Sequence, residues 1–160
     1  MHSIIDFADI DNFISELRKK GNIKIAFSNG CFDVLHRGHV EYLEKAKANA
    51  DILVIGLNSD SSVRSLKGEG RPYINQDDRS YILSRLEAVD IVCIFDHDTP
   101  MELLQRVRPD CLIKGADYTL DQIVGRDYVE SYGGKVLTVP LVQGRSSSNI
   151  IGKIGKAERK

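Results

Sequence analysis

Residues 28 to 39 decide the fold, and they read Ser28-Asn29-Gly30-Cys31-Phe32-Asp33-Val34-Leu35-His36-Arg37-Gly38-His39. The apolar run at residues 23–27 comes directly before this stretch and predicts a strand. A helix is predicted to begin directly after it, at Val40. The stretch is therefore the turn that joins a strand to a helix.

This turn is predicted to bind phosphate. The N-terminus of a helix offers unpaired backbone N–H groups and a partial positive charge, which together favour an anion. Gly30 and Gly38 let the backbone approach a ligand closely. His36 and His39, three residues apart, can direct ring N–H donors to the same phosphates. The pair could instead hold a metal, but zinc sites need three or four ligands and no Cys-x-x-Cys or further His lies at metal spacing, so no metal site is expected.

Strand-like and helix-like segments alternate along the rest of the chain. This alternation predicts a Rossmann-like, doubly wound α/β fold, with a parallel five-stranded sheet and helices on both faces. Such sheets bind ligands beyond the carboxyl ends of their strands. We expect residues 1–22 to form an N-terminal helix and residues 23–160 to form a single nucleotide-binding domain. The predicted strands are residues 23–27, 52–57, 91–95, 111–113 and 136–139, and the predicted helices after the first are 40–47, 81–88 and 101–107.

Composition and charge narrow the classes of partner. The formal net charge of -1 gives no broad electrostatic reason to bind nucleic acid or an anionic membrane. No apolar run approaches the roughly 20 residues that span a bilayer, and the first residues lack the layout of a signal peptide. The 3 cysteines are odd in number and widely spaced, which argues against a disulfide framework. We therefore expect a cytoplasmic protein that binds small anions locally.

Several cations lie between the second predicted strand and the next helix, among them Lys67, Arg71 and Arg79. They belong either to a solvated loop or to a phosphate site, because transfer at phosphorus is catalysed largely by cations that neutralise phosphate oxygens. Lys67 and Arg79 are the preferred phosphate ligands. Residues 65–75 contain two glycines and a proline, which predicts a mobile connection able to close over a ligand.

A run of hydroxyls lies near the C-terminus, in Gly144-Arg145-Ser146-Ser147-Ser148, and a short apolar helix follows. The serines either cap this helix or donate hydrogen bonds to phosphates. A serine nucleophile is not expected, because neither a Gly-x-Ser-x-Gly turn nor an Asp–His relay accompanies them.

The motif Gly-x-Phe-Asp-x-x-His-x-Gly-His at residues 30–39 resembles the signature of a nucleotidyltransferase superfamily. That superfamily includes cytidylyltransferases, pantetheine-phosphate adenylyltransferase and the class I aminoacyl-tRNA synthetase core. The resemblance implies that His36 and His39 hold nucleotide phosphates and stabilise charge during attack on the α-phosphorus, with Lys67 assisting. It also implies that the serine run, here Ser-Ser-Ser where Ser-Thr-Thr is commoner, grips the β- and γ-phosphates.

A second run, Lys114-Gly115-Ala116-Asp117-Tyr118, is similar to the Lys-Gly-Gly-Asp-Tyr stretch in the adenylyltransferase domain of ADP-heptose synthases, and the likeness covers residues 24–154. Ala116 and Arg145 depart from that family's pattern. The likeness implies transfer of AMP from ATP to D-glycero-β-D-manno-heptose 1-phosphate, giving ADP-heptose and pyrophosphate for lipopolysaccharide core or other surface heptose. Mg²⁺ would arrive with ATP. A separate sugar kinase would supply the acceptor, and a homodimer is implied by likeness alone.

The same resemblance implies contacts to ATP or to the acceptor for a wider set of residues. Lys114 and Asp117 are expected to bind the sugar or the nucleoside. Asp33 could contact the acceptor, orient a histidine or simply belong to the turn, and the sequence leaves these open. The expected binding residues are Asn29, Gly30, Phe32, Asp33, Gly38, Asn58, Arg79, Lys114, Gly115, Asp117, Ser146, Ser147 and Ser148.

Two other functions fit part of this pattern. A cytidylyltransferase for a small polyol phosphate, such as glycerol 3-phosphate, shares the histidine motif and the serine run, whereas the run at residues 114–118 favours the heptose. A non-catalytic nucleotide-sensing module would keep the fold, but the intact His36, His39 and Lys67 argue against it.

Overall fold

A computed structural model of the chain describes residues 2–157, so the outer limits of the two predicted segments, residues 1 and 160, lie outside the described residues. The strands are β1 (Ser3–Ile4), β2 (Ile25–Gly30), β3 (Ile52–Asn58), β4 (Ile91–Phe95), β5 (Cys111–Gly115) and β6 (Lys135–Val139). The helices are α1 (Ile10–Lys19), α2 (Arg37–Lys47), α3 (Asp60–Lys67), α4 (Gln76–Ser84), α5 (Met101–Val107), α6 (Arg126–Ser131) and α7 (Ser147–Ala157), with a 3-10 turn at Leu120–Gln122.

The strands of residues 2–157 form one parallel sheet in the order β1-β4-β3-β2-β5-β6. From β2 the chain adds β3 and then β4 on one side. It then returns to place β5 and β6 on the other side of β2. The carboxyl ends of β2 and β5 therefore mark the point where the connections diverge, which is where ligands of doubly wound sheets bind. The predicted Rossmann-like α/β fold is confirmed.

Strands β2 to β6 divide their apolar side chains between two cores, because successive side chains point to opposite faces of the sheet. In β3, Val54 packs on one face, while Leu53 and Ile55 pack on the other. The first core also contains buried residues of α1, α5 and α6, and the second contains those of α2 and α4. Helices thus cover both faces, as the alternation of segments predicts.

The structure differs from the predicted sheet at its edge. Ser3–Ile4 forms a sixth strand that pairs with Ile91 and Val92, so the N-terminal segment is not helical throughout, and α1 covers only Ile10–Lys19. Two residues are too few to show an alternating pattern, which is why the sequence did not reveal this strand. Among residues 2–157, no helix has the length and apolar character needed to cross a bilayer.

A second difference concerns residues 65–67, which belong to α3 and not to an open connection. Ser59 caps this helix by accepting a hydrogen bond from the Ser62 N–H, and Val63 is its one buried apolar side chain. The helix has only two apolar residues, Val63 and the exposed Leu66, which are too few to show a helical pattern in the sequence. The irregular connection is shorter than predicted and consists of residues 68–75.

Arg79 is the largest fully buried polar side chain of the described residues, with 1% of its surface exposed. Its Nε donates to the Ile74 carbonyl (2.9 Å), and its Nη1 donates to the carbonyls of Cys31 (2.6 Å) and Asn58 (2.8 Å). Nη2 donates to Asp60 at 2.7 Å. One guanidinium therefore joins the turn after β2, the end of β3, the start of α3 and the segment before α4.

We predict that Arg79→Met lowers the free energy of unfolding by about 3 kcal/mol, because it leaves buried carbonyls and a carboxylate without their partner. Urea denaturation measures the loss. The matched control is Arg85→Met, which removes an exposed arginine that stacks on Tyr81, and it is expected to cost less than about 1 kcal/mol. Equal losses in the two variants would contradict the assigned role of Arg79.

Candidate active site

A cavity of about 350 Å³ opens at the carboxyl ends of β2 and β5. Its wall is built from the ends of those strands, the turn after β2, the first turn of α2, the end of α3 and the segment that leads from β6 into α7. The lining residues are Asn29, Gly30, Cys31, Phe32, Asp33, His36, Gly38, His39, Tyr42, Lys67, Lys114, Gly115, Asp117, Tyr118, Leu141, Val142, Arg145, Ser146, Ser147 and Ser148.

The two histidines form the N-terminal cap of α2. The Nδ1 atom of His36 accepts a hydrogen bond from the Gly38 N–H at 3.1 Å, and the Nδ1 atom of His39 accepts one from the His36 N–H at 3.4 Å. Their rings stack with centroids 4.0 Å apart. Because Nδ1 is an acceptor in both rings, the proton of each neutral imidazole lies on Nε2. The cap therefore leaves two Nε2–H donors available to the cavity.

Burial keeps both rings uncharged. It lowers the pKa of His39 to about 4, with smaller contributions from His36 and Lys67. Burial, followed by the positive charge of Arg145, also lowers the pKa of His36 below its ordinary value. At neutral pH the pair thus consists of neutral hydrogen-bond donors and not of cations.

Two glycines make the tight packing of this wall possible. A Cβ on Gly38 would lie 2.9 Å from the His36 ring and 3.2 Å from the Cβ of Arg145. A Cβ on Gly115 would lie 2.5 Å from the Asp117 carboxylate. Contacts under 3.0 Å require movement, so any larger residue at either position displaces a side chain of the cavity.

Phe32 occupies the left-handed region of backbone conformation, with φ of 44°. A non-glycine residue there costs on the order of 1 kcal/mol or more, and such strain is often found at functional sites. The Phe32 ring lies 5.4 Å from the His39 ring, centroid to centroid, and is 6% exposed. The strained turn therefore places an apolar side chain against the catalytic candidate and contributes to its burial.

A second polar group lies at the end of β5. The ammonium of Lys114 donates to the Asn29 side-chain oxygen at 2.5 Å and lies 5.6 Å from the centre of the Tyr118 ring. Burial lowers the pKa of Lys114 to about 8, although the Asp117 carboxylate acts in the opposite direction. Lys114 is thus a cation at neutral pH whose charge is held next to a carboxylate and an aromatic face.

The serine run caps α7, as one of its two interpretations requires. The Ser146 hydroxyl accepts a hydrogen bond from the Asn149 N–H at 3.1 Å, and the Ser147 hydroxyl donates to the Val34 carbonyl at 3.0 Å. The second bond ties the start of α7 to the turn after β2. All three serines also line the cavity, so the cap brings the N-terminus of α7 to the same wall as that of α2.

Two of the expected binding residues lie outside the cavity wall. Arg79 is buried beneath it and uses its donors on carbonyls and on Asp60, so the expected phosphate contact is replaced by a supporting role. Asn58 is 4% exposed and donates to the Ser62 hydroxyl at 2.9 Å. The structure brings the other expected residues together along one wall, and their contacts with ligands stay predictions.

Asp33 lines the cavity, but its carboxylate oxygens accept hydrogen bonds from Arg71 and from the backbone of Tyr73 and Ile74. None of these donors is a histidine. Sequence reasoning also missed some lining residues, of which Tyr42 is an example. Its ring belongs to the apolar face of α2 and resembles a simple core residue, while its hydroxyl bonds to Ser28 (2.7 Å) and to the Ile113 carbonyl (3.1 Å).

Comparison with known proteins agrees with this architecture. The family model described as cytidylyltransferase-like matches residues 27–152. A crystal structure of the lipopolysaccharide core biosynthesis protein from Thermoplasma volcanium GSS1 superposes with a TM-score of 0.63 at 26% identity, covering 78% of this chain and 100% of the other.

Other known proteins are more similar to this chain in sequence than that structure is. Bifunctional protein HldE from Geobacter sulfurreducens is 58% identical over 134 residues, which are 84% of this chain and 27% of that protein. The protein of the same name from Geobacter metallireducens is 56% identical over 144 residues, which are 90% of this chain and 29% of that protein. The chain thus spans about three-tenths of the length of the curated relatives it matches. It belongs to the cytidylyltransferase-like family and is a nucleotidyltransferase.

Proposed function

We propose that the chain transfers AMP from ATP to D-glycero-β-D-manno-heptose 1-phosphate, giving ADP-heptose and pyrophosphate. The observation that carries the transfer chemistry is the pair of neutral Nε2–H donors at the N-terminus of α2, facing a cavity that also contains Lys67 and the serine run. The choice of sugar rests on residues 114–118, on the HldE relatives and on the neighbour described as a lipopolysaccharide core biosynthesis protein.

In the proposed reaction an oxygen of the sugar 1-phosphate attacks the α-phosphorus of ATP. The new P–O bond forms as the bond from the α-phosphorus to the bridging oxygen of the β-phosphate breaks, and pyrophosphate leaves with those electrons. A phosphate monoester is largely ionised at neutral pH, so the attacking oxygen requires no general base. His36 and His39 donate hydrogen bonds to phosphate oxygens that gain negative charge in the transition state.

The leaving pyrophosphate needs positive charge and donors on the other side of the α-phosphorus. Lys67 at the end of α3 supplies a charge. The N-terminus of α7 supplies backbone N–H groups and the hydroxyls of Ser146 and Ser148, while the Ser147 hydroxyl donates to the Val34 carbonyl and holds this segment in place. Arg145, which precedes the serines and lines the same wall, is a further cation for these phosphates. Such fixed groups stabilise the transition state without reorganising during the reaction.

Mg²⁺ fits this site as an ion carried on ATP. Among residues 2–157, no three histidine, cysteine or acidic side chains come together as a metal-binding group. Of the two lining carboxylates, Asp33 already accepts three hydrogen bonds, which leaves Asp117. Phosphate oxygens and waters would therefore hold most of the coordination sphere, as Mg²⁺ prefers. When bound, the ion neutralises charge on the phosphates.

Lys114, Asp117 and Tyr118 form the part of the wall that we assign to the sugar or the nucleoside. Their ammonium, carboxylate and aromatic ring can bind hydroxyls and cover an apolar ring face. The acceptor carries a phosphate, so a sugar kinase must act before this transfer. The matched relatives are named bifunctional and extend far beyond the matched region, which is consistent with a second activity there.

The substrate assignment is tested by pyrophosphate release from purified protein offered ATP or CTP with heptose 1-phosphate or glycerol 3-phosphate. We expect release only from ATP with heptose 1-phosphate. Release from CTP with glycerol 3-phosphate instead would favour a polyol-phosphate cytidylyltransferase, the alternative that the family description keeps open. Binding of ATP without release from any pair would indicate a nucleotide-sensing module.

For the histidine pair, we predict that His39→Ala lowers kcat by about 10² to 10³, because it removes a donor aimed at developing charge. Its free energy of unfolding should fall by only about 1 kcal/mol, the usual value of one helix cap. His97→Ala is the control, since His97 is exposed and pairs with Glu102 away from the cavity. A His39→Ala variant with near-normal turnover contradicts the assignment.

The lowered pKa of Lys114 predicts that activity falls on the alkaline side, or limb, of the pH profile. Burial lowers it from 10.5 to about 8, so the ammonium is charged below about pH 8 and loses its proton above that pH. We expect kcat/KM, which reports the free enzyme, to fall about tenfold per pH unit beyond this point. In Lys114→Arg the charge persists, and the limb should move out of range. The same limb in both proteins would assign it to another group.

A further inference from the structure

Residues 68–75 connect α3 to α4 without regular structure. Gly68 ends α3 with φ of 96°, and residues 68–70 are exposed. The cavity-lining Lys67 comes directly before this connection. Within the connection the structure has one backbone hydrogen bond, from the Arg71 N–H to the Gly68 carbonyl, and one cation–π contact, between Arg71 and Tyr73. The position of Lys67 therefore depends largely on how the connection is attached to the rest of the domain.

Asp33 provides most of that attachment, and the bond from the Arg79 Nε to the Ile74 carbonyl adds to it. One carboxylate oxygen accepts the Nε–H of Arg71 at 2.6 Å, and the other accepts the backbone N–H groups of Tyr73 (2.8 Å) and Ile74 (2.9 Å). All three donors come from residues 71–74. The carboxylate is 2% exposed and belongs to the turn between β2 and α2, which also carries His36.

The carboxylate is ionised and almost fully occupied. Burial alone would raise the pKa of Asp33, but the N–H groups of Ile74 and Tyr73 and the Arg71 guanidinium together hold it below its ordinary value. A carboxylate offers about four lone-pair sites, and three of them are used. Little capacity is left for a substrate hydroxyl, and its charge is balanced by Arg71 before any phosphate arrives.

We propose that Asp33 is a positioning residue, whose carboxylate fastens residues 71–74 to the turn after β2 and thereby holds Lys67 on the cavity wall. Lys67 and Arg71 are four residues apart, so the chain between them spans at most about 14 Å. Lys67 is held on its other side by α3. The fastening therefore limits how far Lys67 can move from the phosphates, and Asp33 acts on transfer through Lys67.

Asp33 holds residues 71–74 in two ways, by the ion pair with Arg71 and by the hydrogen bonds from the Tyr73 and Ile74 N–H groups, and the two differ in how well their polar groups are satisfied. The Arg71 guanidinium has one buried nitrogen, Nη2, without a hydrogen-bond partner, so the ion pair leaves a polar group unsatisfied. The two backbone N–H groups, in contrast, have good geometry to a single oxygen. Asp33→Asn can keep that oxygen, whereas Asp33→Ala removes both interactions.

Hydrogen exchange tests the attachment directly and needs no activity. In Asp33→Ala, the amides of Tyr73 and Ile74 are expected to exchange at least tenfold faster than in the wild type, while amides of β3 keep their protection. Asp33→Asn should show a smaller increase. The control is Glu69→Gln, which changes an exposed carboxylate in the same connection and should leave exchange unchanged. Unchanged protection of both amides in Asp33→Ala and in Asp33→Asn would overturn the proposal.

The kinetic test rests on the proposed transfer reaction and uses a double-mutant cycle with Lys67. We expect Asp33→Ala to lower kcat at least tenfold, with the KM of the acceptor changed less than threefold. The double variant Asp33→Ala/Lys67→Ala should then have nearly the same kcat as the single variant Lys67→Ala. Independent, multiplicative losses, or a large rise in acceptor KM, would show that Asp33 contacts substrate and overturn the proposal.

The two failures remain distinguishable. If the wild type releases no pyrophosphate from any substrate pair, the proposed function fails, and the exchange of Tyr73 and Ile74 still decides whether Asp33 fastens the connection. If Asp33→Ala does not fold, Asp33→Asn and Arg71→Gln serve in both measurements. Each of these keeps part of the fastening and should give an intermediate exchange rate and an intermediate kcat.

Discussion

The chemistry of the cavity depends on how α2 begins. Two backbone N–H groups in its first turn find their acceptors in the Nδ1 atoms of His36 and His39. Since each ring gives its Nδ1 to the backbone, each has only its Nε2–H left for a ligand. The helix cap and the candidate catalytic groups are thus the same atoms. A change that weakens the cap therefore also changes whether the ring nitrogen that faces the cavity carries a proton.

The parallel sheet brings partners to this cap from distant parts of the chain. The carboxyl ends of β2 and β5 open side by side, and the segment after β6 returns to place Ser147 against the Val34 carbonyl. The end of α3 adds Lys67, and the end of β5 adds Lys114. Helix N-termini, cations and neutral donors therefore surround one space, and this combination suits phosphates. Buried hydrogen bonds, such as those from Arg79 to the Cys31 and Asn58 carbonyls, fix the positions of the surrounding turns.

The sequence predicted the parts of this arrangement whose signal is local. The glycine and histidine spacing at residues 30–39 specifies a strand, a turn and a capped helix, and the structure has all three. The sequence could not predict which polar side chains are buried. Arg79 lies among other cations in the sequence and resembles a phosphate ligand, yet tertiary contacts place its side chain under the wall. β1 has only two residues, and its position is set by its pairing with β4, which no local pattern records.

The central claim is that His36 and His39 are neutral Nε2–H donors to phosphate. Nitrogen-15 NMR of the imidazole rings, recorded across a pH titration with and without ATP, tests it most directly. The claim predicts that both rings carry their proton on Nε2, that His39 titrates at about pH 4 in the free protein, and that ATP shifts the Nε2 signals. Protons on Nδ1, or titration of His39 near its ordinary value of 6.5 without any response to ATP, would contradict it.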